Sequence, residues 1–347
     1  MDPSAGRRLD LIVYGATSFV GQLLCRRLVE RQGVDGDLRW AIAGRDPAKL
    51  DRVAADTGAD VERIVADATD GAALAAMAAS TRVVTSTVGP YALYGSDLVS
   101  AVVDAGTDYC DLTGEVQWMR RMIDAHAPAA AASGARIVHA CGFDSVPSDL
   151  GVWFLQQRAH ELHGTPCEHV SMRVATLRGG ASGGTIASMM NVMEEAAHDP
   201  ALRKLLADPY ALAPIDMRSG PPQRDVTRPR HDDASGQWIA PFVMAAVNTR
   251  VVHRSHALLG RPWGSAFTYE EATLTGPGPV GAAKAGGISA AMAAGLGLAA
   301  LGPTRRLLNR FVLPGAGEGP SPEAQEKGSF DLRFHGSTAD GRSLRTR

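Results

Sequence analysis

The sequence predicts an α/β chain: a doubly wound parallel Rossmann sheet followed by a second, α+β domain. Three observations carry this prediction. Short apolar runs alternate with helical patterns from residue 9 to about 150. A glycine turn, Gly15-Ala16-Thr17-Ser18-Phe19-Val20-Gly21, separates the first run from the first helix. From about Gly151 the periodicity changes.

Leu9–Tyr14 is the first predicted strand, and the helix after the glycine turn runs from about Phe19 to Gln32. Leu38–Ala43 is the second strand and ends on Gly44-Arg45. Pro47–Thr57 is a helix with proline in its first turn, and Val61–Ala68 is a strand. Asp70–Ser80 is helical, Arg82–Val88 a strand, Ser96–Ala105 a helix and Asp108–Leu112 a strand. Thr113-Gly114-Glu115 opens a helix that runs to about Ala132, and Arg136–Cys141 is the sixth strand. The expected division is a nucleotide domain over 1–150, a second domain over 151–327 and a C-terminal hairpin over 328–347.

The first βαβ unit carries a dinucleotide fingerprint. Gly15 allows a sharp exit from the strand, and Gly21 lets the helix sit close to the sheet. The helix N-terminus then offers free N–H groups to a pyrophosphate, with Ala16 to Val20 forming its cradle. Ser18 stands where a middle glycine is expected, and its hydroxyl is a candidate phosphate donor. After the second strand, Gly44-Arg45 with Lys49 occupies the slot where NAD enzymes place an acid for the ribose 2′-OH. Arginine instead grips a 2′-phosphate through two parallel hydrogen bonds, which predicts NADP(H).

Bulk properties narrow the classes. The chain has 347 residues, 45% of them hydrophobic, which is enough for a large core and two domains. A net charge of −2 argues against nucleic acid as a partner. The polar start, Met1 to Arg8, has no signal-peptide pattern, and Cys25, Cys110, Cys141 and Cys167 have no metal spacing. The expected setting is a reducing cytoplasm, with no metal site.

The chemistry of a doubly wound sheet gathers beyond the carboxyl ends of its strands. Val88-Gly89-Pro90, Asp111 to Glu115 and Cys141 to Asp149 lie there. Tyr91, Tyr94, Asp144 and Ser145 are the candidate catalytic residues, and Glu115 is a further polar group able to face substrate. A phenol keeps its proton at neutral pH, so the two tyrosines rank first as carbonyl donor or proton source. No tyrosine of the nucleotide domain has lysine four residues on, which counts against short-chain dehydrogenase chemistry.

Five stretches, taken together, resemble the saccharopine dehydrogenase-like oxidoreductases. They are Gly15–Gly21, Ala43–Arg45, Thr87–Tyr91, Asp108–Glu115 and His139–Asp149. More narrowly they resemble the trans-acting enoyl reductase branch known from actinobacterial lipid biosynthesis. The resemblance implies NADPH-dependent reduction of a carbon–carbon double bond. Its implied substrate is a polyketide or fatty-acyl chain, carried by a synthase that lacks its own reductase, on the route to long-chain diols of the phthiocerol type and their glycolipids. Two other readings remain: an amino-acid or amine dehydrogenase, needing an arginine cluster such as Arg173, Arg178 and Arg250, and a non-catalytic NADP-bound module on a lipid-synthesis complex.

In the second half, Val152–His163 is helical and His169–Leu177 alternates as a strand with one wet face. Arg178 to Thr185 is a glycine-rich loop without a P-loop ending, before the helix Ile186–Ala197. Residues 208–235 read as a long surface excursion. Arg250, His253, Arg254 and His256 form a basic helical edge for a carrier's phosphopantetheine. The Ala/Gly-rich run 285–303 suits a close-packed helix along an acyl channel better than a membrane span. Arg305, Arg306 and Arg310 after it suit peripheral contact with a lipid surface. The final hairpin, Ser329–His335 with Arg342–Arg347, reads as cut short relative to proteins of this kind.

Overall fold

The computed structural model describes residues 6–180, 182–300 and 318–347. They form two compact units. The first holds the described residues up to 142, with 182–192 and 318–320, and the second holds the remainder.

The first unit is a six-stranded sheet of β1 (Leu9–Tyr14), β2 (Trp40–Gly44), β3 (Glu62–Val65), β4 (Thr81–Ser86), β5 (Asp108–Asp111) and β6 (Ile137–Val138). Its order is β3-β2-β1-β4-β5-β6 and every pairing is parallel. Strand order reverses between β1 and β4, which opens a crevice at their carboxyl ends. The connecting helices are α1 (Phe19–Gln32), α2 (Pro47–Thr57), α3 (Gly71–Ser80), α4 (Tyr91–Tyr94), α5 (Ser96–Ala105) and α6 (Val116–Ser133). Val13 and Ile42 point into one core with Cys25 of α1 and Leu50 and Val53 of α2. The fourth strand ends at Ser86, two residues earlier than predicted, because Thr87 leaves the ladder to bond the first turn.

The division falls at Gly142, earlier than 150, and its cause is the next helix. In α7 (Val146–His163), Val152, Leu155 and Ala159 pack against Val170, Met172 and Phe334 of the second unit. The remaining helices are α8 (Gly183–His198), α9 (Pro200–Ala207), α10 (Ala245–Leu258), α11 (Gly278–Ala300) and α12 (Pro322–Glu326).

The second sheet contains β7 (His169–Arg178), β8 (Arg230–Asp232), β9 (Gln237–Ala240), β10 (Thr268–Gly276), β11 (Ser329–Ser337) and β12 (Ser343–Thr346), in the order β12-β11-β7-β10-β9-β8. The C-terminal hairpin is therefore part of this sheet: β11 pairs with β7 along its whole length. The excursion over 208–235 is only partly at the surface. It buries Ala211, Leu212 and Ala213, makes a 3-10 turn at Ile215–Met217 and supplies β8.

The basic edge of α10 is corrected most clearly. Arg250 is buried and donates to both carboxylate oxygens of Asp225, at 2.8 and 2.7 Å. His253 and His256 are buried too, and burial pulls their pKa values down to about 3 and about 4. Arg254 is half-buried and donates to Leu212 O at 2.8 Å, so these four side chains do not form the exposed basic edge expected. The predicted run 285–303 falls largely on α11; residues 301–303, Arg305, Arg306 and Arg310 lie outside the described residues. Among the described residues, no helix is long and apolar enough to cross a membrane.

Glu271 of β10 is fully buried and accepts from Tyr269 Oη (2.7 Å) and Asn248 Nδ2 (3.0 Å), and burial pushes its pKa up to about 7. Its folded pKa lies above the unfolded value, so its contribution to stability is complete below about pH 4.5 and is lost as pH rises through 7. Glu271→Gln mimics the protonated acid and removes that loss. The variant is expected to gain on the order of 3 kcal/mol over the native chain between pH 4.5 and 7.5. Urea unfolding at both pH values checks this; parallel changes in the two proteins would refute it.

Candidate active site

The crevice is shaped first by the turn between β1 and α1. Gly15 has φ +86°, and the amides of Gly15 and Ala16 donate to Ala43 O at 2.9 and 3.2 Å. Gly21 must lack a side chain: a Cβ there would lie 2.3 Å from Gly15 O. Ser18 is the N-cap of α1, its Oγ accepting from Gly21 N at 2.9 Å. Gln22 N donates to Ser18 O. That leaves the N–H groups of Phe19 and Val20, at the positive end of the helix dipole, for an anion.

At the adenosine end, Gly44 closes β2 and Arg45 and Lys49 are exposed. The neighbouring acid, Asp46, caps α2 by accepting from Lys49 N at 3.1 Å, so no carboxylate takes the ribose slot in place of Arg45. Asp67 lies within electrostatic reach of Arg45, but its carboxylate accepts from the amide and hydroxyl of Thr69.

The loop after β4 carries Thr87, Val88 and the cis Gly89–Pro90 bond. Fully buried Glu115 holds it: its two oxygens accept from Tyr91 N at 2.7 Å and Ala92 N at 2.9 Å. Glu115, expected to face substrate, thus acts on backbone. Gly89 also lies against the Ser188 side chain, since a Cβ on Gly89 would be 3.3 Å from Ser188 Oγ. Nearby, Asp111 accepts from Thr113 N and Ala140 N and sits 2.6 Å from His139 Nδ1, tying the loops after β5 and β6 together. Sequence reading did not single out Asp111, His139 or Thr87. The signals were their position at the carboxyl ends of parallel strands and their place in three of the stretches that carry the family resemblance.

The four catalytic candidates separate. Tyr91 is 3% exposed, packs on Trp118 and donates its phenolic proton to Ser86 O at 3.0 Å. Burial and the nearby Asp111 hold its pKa well above 10. Tyr91 is therefore corrected from proton source to internal strut. Tyr94, at the end of the same short helix, is 40% exposed. Asp144 and Ser145 belong to the second unit; Asp144 is exposed, whereas Ser145 is buried and donates to Asn248 Oδ1 at 2.9 Å. Ser145 is corrected likewise, its proton being committed to the α7–α10 contact.

A parallel sheet in this order, with a helix N-terminus left open at its switch point and an arginine closing β2, defines a nicotinamide-dinucleotide oxidoreductase. Residues 11–138 match the family described as saccharopine dehydrogenase NADP binding domain. Over 348 residues the chain is 42% identical to a Mycobacterium tuberculosis protein provisionally named a trans-acting enoyl reductase, covering 96% of this chain and 82% of the relative. It is 38% identical to the trans-acting enoyl reductase of Mycobacterium ulcerans over 352 residues, covering 97% and 83%. The same identity holds for that of Mycobacterium leprae over 349 residues, covering 96% and 82%. An apo saccharopine dehydrogenase (L-Glu forming) from Saccharomyces cerevisiae overlaps 49% of this chain and 35% of its own, at 20% identity and a TM-score of 0.41. The chain belongs to the saccharopine dehydrogenase-like family, among the trans-acting enoyl reductases.

Proposed function

We propose that the protein is an NADPH-dependent enoyl reductase acting on a C=C bond of a polyketide or fatty-acyl intermediate in complex-lipid assembly. The observation that carries this reading is the 42% identity, across 96% of the chain, to a relative provisionally named a trans-acting enoyl reductase. The cofactor is NADP(H), as the matched domain and the Arg45 slot agree.

Bound NADPH supplies a hydride to the β-carbon of a conjugated thioester. The chain's own part is placement and proton handling. Phe19 and Val20 amides hold the pyrophosphate, Arg45 and Lys49 hold the 2′-phosphate, and Val88 to Pro90 border the nicotinamide ribose. Glu115 keeps that last loop in one shape by engaging two of its amides. Tyr94 is the phenol that polarises the carbonyl or delivers the α-proton. Asp144 is kept as the second candidate. In the second unit, a groove of about 580 Å³ beside α11 is lined by residues that include Ala175, Leu274, Ile288, Lys284 and Arg333. Arg333 is paired with Asp331 at 2.9 Å, so Lys284 is the cation that would meet the anionic end of an acyl chain there. Presentation on a carrier protein, a cytoplasmic setting and contact with the membrane's inner face complete the proposal.

The amino-acid dehydrogenase reading loses two of its three arginines, and the third, Arg178, is exposed at the end of β7. Arg173 donates to Asp232 at 2.7 Å and Glu270 at 2.5 Å, and Arg250 to Asp225, so neither is offered to a substrate carboxylate. Loss of absorbance at 340 nm with enoyl thioesters of graded length, and none with a 2-oxo acid and amine, tests the choice. No loss with any thioester, from protein that binds NADPH, would leave the non-catalytic module. Tyr94→Phe is expected to lower kcat about a hundredfold with little change in the KM for NADPH. A kcat within threefold of the native value would remove Tyr94 from the chemistry.

A further inference from the structure

Thr87 was not assigned any role by the sequence, yet its hydroxyl joins the two ends of the dinucleotide turn. Thr87 Oγ1 lies 2.8 Å from Gly15 O and 2.8 Å from Ser18 Oγ, and the residue is 8% exposed. Both separations are those of O–H···O hydrogen bonds, and each needs one proton. Gly15 O only accepts, so Thr87 gives its single proton there. The contact with Ser18 then requires Ser18 to be the donor. Ser18 Oγ in turn receives the N–H of Gly21 at 2.9 Å.

The direction of every bond is thereby determined. The series runs from Gly21 N–H to Ser18, from Ser18 to Thr87, and from Thr87 to Gly15 O. It starts on one fingerprint glycine and ends on the other, which closes a ring around the turn. Two consequences follow. Ser18 has no proton left for a pyrophosphate, so the expectation that its hydroxyl would bind phosphate is replaced by a structural part. The turn is also fixed in shape by a residue some seventy positions away, in the loop that follows β4. Gly15 itself is confined by the same group, since a Cβ there would lie 2.7 Å from Thr87 Oγ1.

We propose that Thr87 is a positioning residue for the cofactor: its hydroxyl closes a proton-directed ring that presets the pyrophosphate turn before NADPH arrives. The ring does for this chain what a middle glycine does by leaving space, and it explains how serine is accommodated at position 18. Binding to a preset loop avoids the cost of ordering it, so loss of the ring should appear as weaker cofactor binding, with turnover of the loaded enzyme unchanged. The proposal rests on the NADP reading and goes beyond it by assigning a residue outside the fingerprint.

The test is a fluorescence titration of NADPH into the full chain and its Thr87→Val, Thr87→Ser, Ser18→Ala and Ser18→Ala/Thr87→Val variants. Valine keeps the branched shape and removes the hydroxyl; serine restores the hydroxyl without the methyl. Thr87→Val is expected to weaken NADPH binding about tenfold, and Thr87→Ser to stay within threefold of the native chain. The double variant should lose little more than either single one, because the ring is already open. Turnover at saturating NADPH should change less than twofold. Native affinity in Thr87→Val, equal losses in the valine and serine variants, or additive losses in the double variant would each overturn the proposal. Should the valine variant fail to fold, Ser18→Ala opens the ring from the other side, and native affinity there would overturn it equally. A native chain that binds no NADPH would instead remove the cofactor reading itself.

Discussion

Gly21→Ala is expected to abolish measurable NADPH binding. The added methyl would lie 2.3 Å from Gly15 O and 2.8 Å from Ala16 Cα, and both are backbone atoms that no rotamer change can move. Relief requires α1 to slide away from β1, which carries the Phe19 and Val20 amides out of register with a pyrophosphate. Overpacking of this kind costs about 1–3 kcal/mol of stability. The loss of affinity should exceed a hundredfold, since the anion's donors move together. Gly71→Ala is the matched comparison: it stands at the start of α3 with nothing within 4 Å of the new methyl. That substitution should leave NADPH binding unchanged and the thermal midpoint equal or slightly raised. Calorimetric titration of both variants settles the point, and NADPH affinity within threefold of native in Gly21→Ala would show that the turn does not hold the cofactor.

Arg45→Ala is expected to remove the preference for NADPH over NADH. A guanidinium on a phosphate makes charge-assisted bonds worth about 1.5–3 kcal/mol, equivalent to roughly 10–150-fold in affinity. The KM for NADPH should rise by about fiftyfold within that range while the KM for NADH changes little, because NADH has no group at that position. Arg45→Glu should go further, repelling the 2′-phosphate and leaving NADH the better cofactor. Asp46 does not compensate in the alanine variant, as its carboxylate is engaged at the N-terminus of α2. The ratio of kcat/KM for the two cofactors is the quantity to measure. An unchanged ratio in Arg45→Ala would place the 2′-phosphate elsewhere.

The parts of the fold that were legible are those written in local periodicity. Ile12–Tyr14 of β1 and Trp40–Gly44 of β2 are largely apolar and buried on both faces, as central parallel strands must be, and the glycine turn between them announces its geometry through residue size. The strand β11 was harder to place. Its own pattern reads as a hairpin arm, while its partner β7 lies about 160 residues earlier, and no local signal reports that pairing. Polar side chains showed the same limit. Tyr91, Ser145 and Arg250 look like surface chemistry in sequence, yet their partners are Ser86 O, Asn248 and Asp225. Each is a buried donor that would cost free energy if left without its acceptor, a duty indistinguishable from catalysis until the partner is seen. Arg45 and Tyr94 are exposed, and among the described residues no such hydrogen-bond partner claims them at the end of a strand or a one-turn helix.

The fate of the hydride tests the central claim most directly. Native protein is mixed with an enoyl thioester and NADPH carrying deuterium at C4 of the nicotinamide, on each face in turn, and the product is read by mass and deuterium spectra. One of the two labelled cofactors should deliver deuterium to C3 of the saturated thioester, with a solvent proton at C2. Bound NADPH that stays unoxidised with every enoyl thioester, or deuterium found anywhere but C3, would contradict the account.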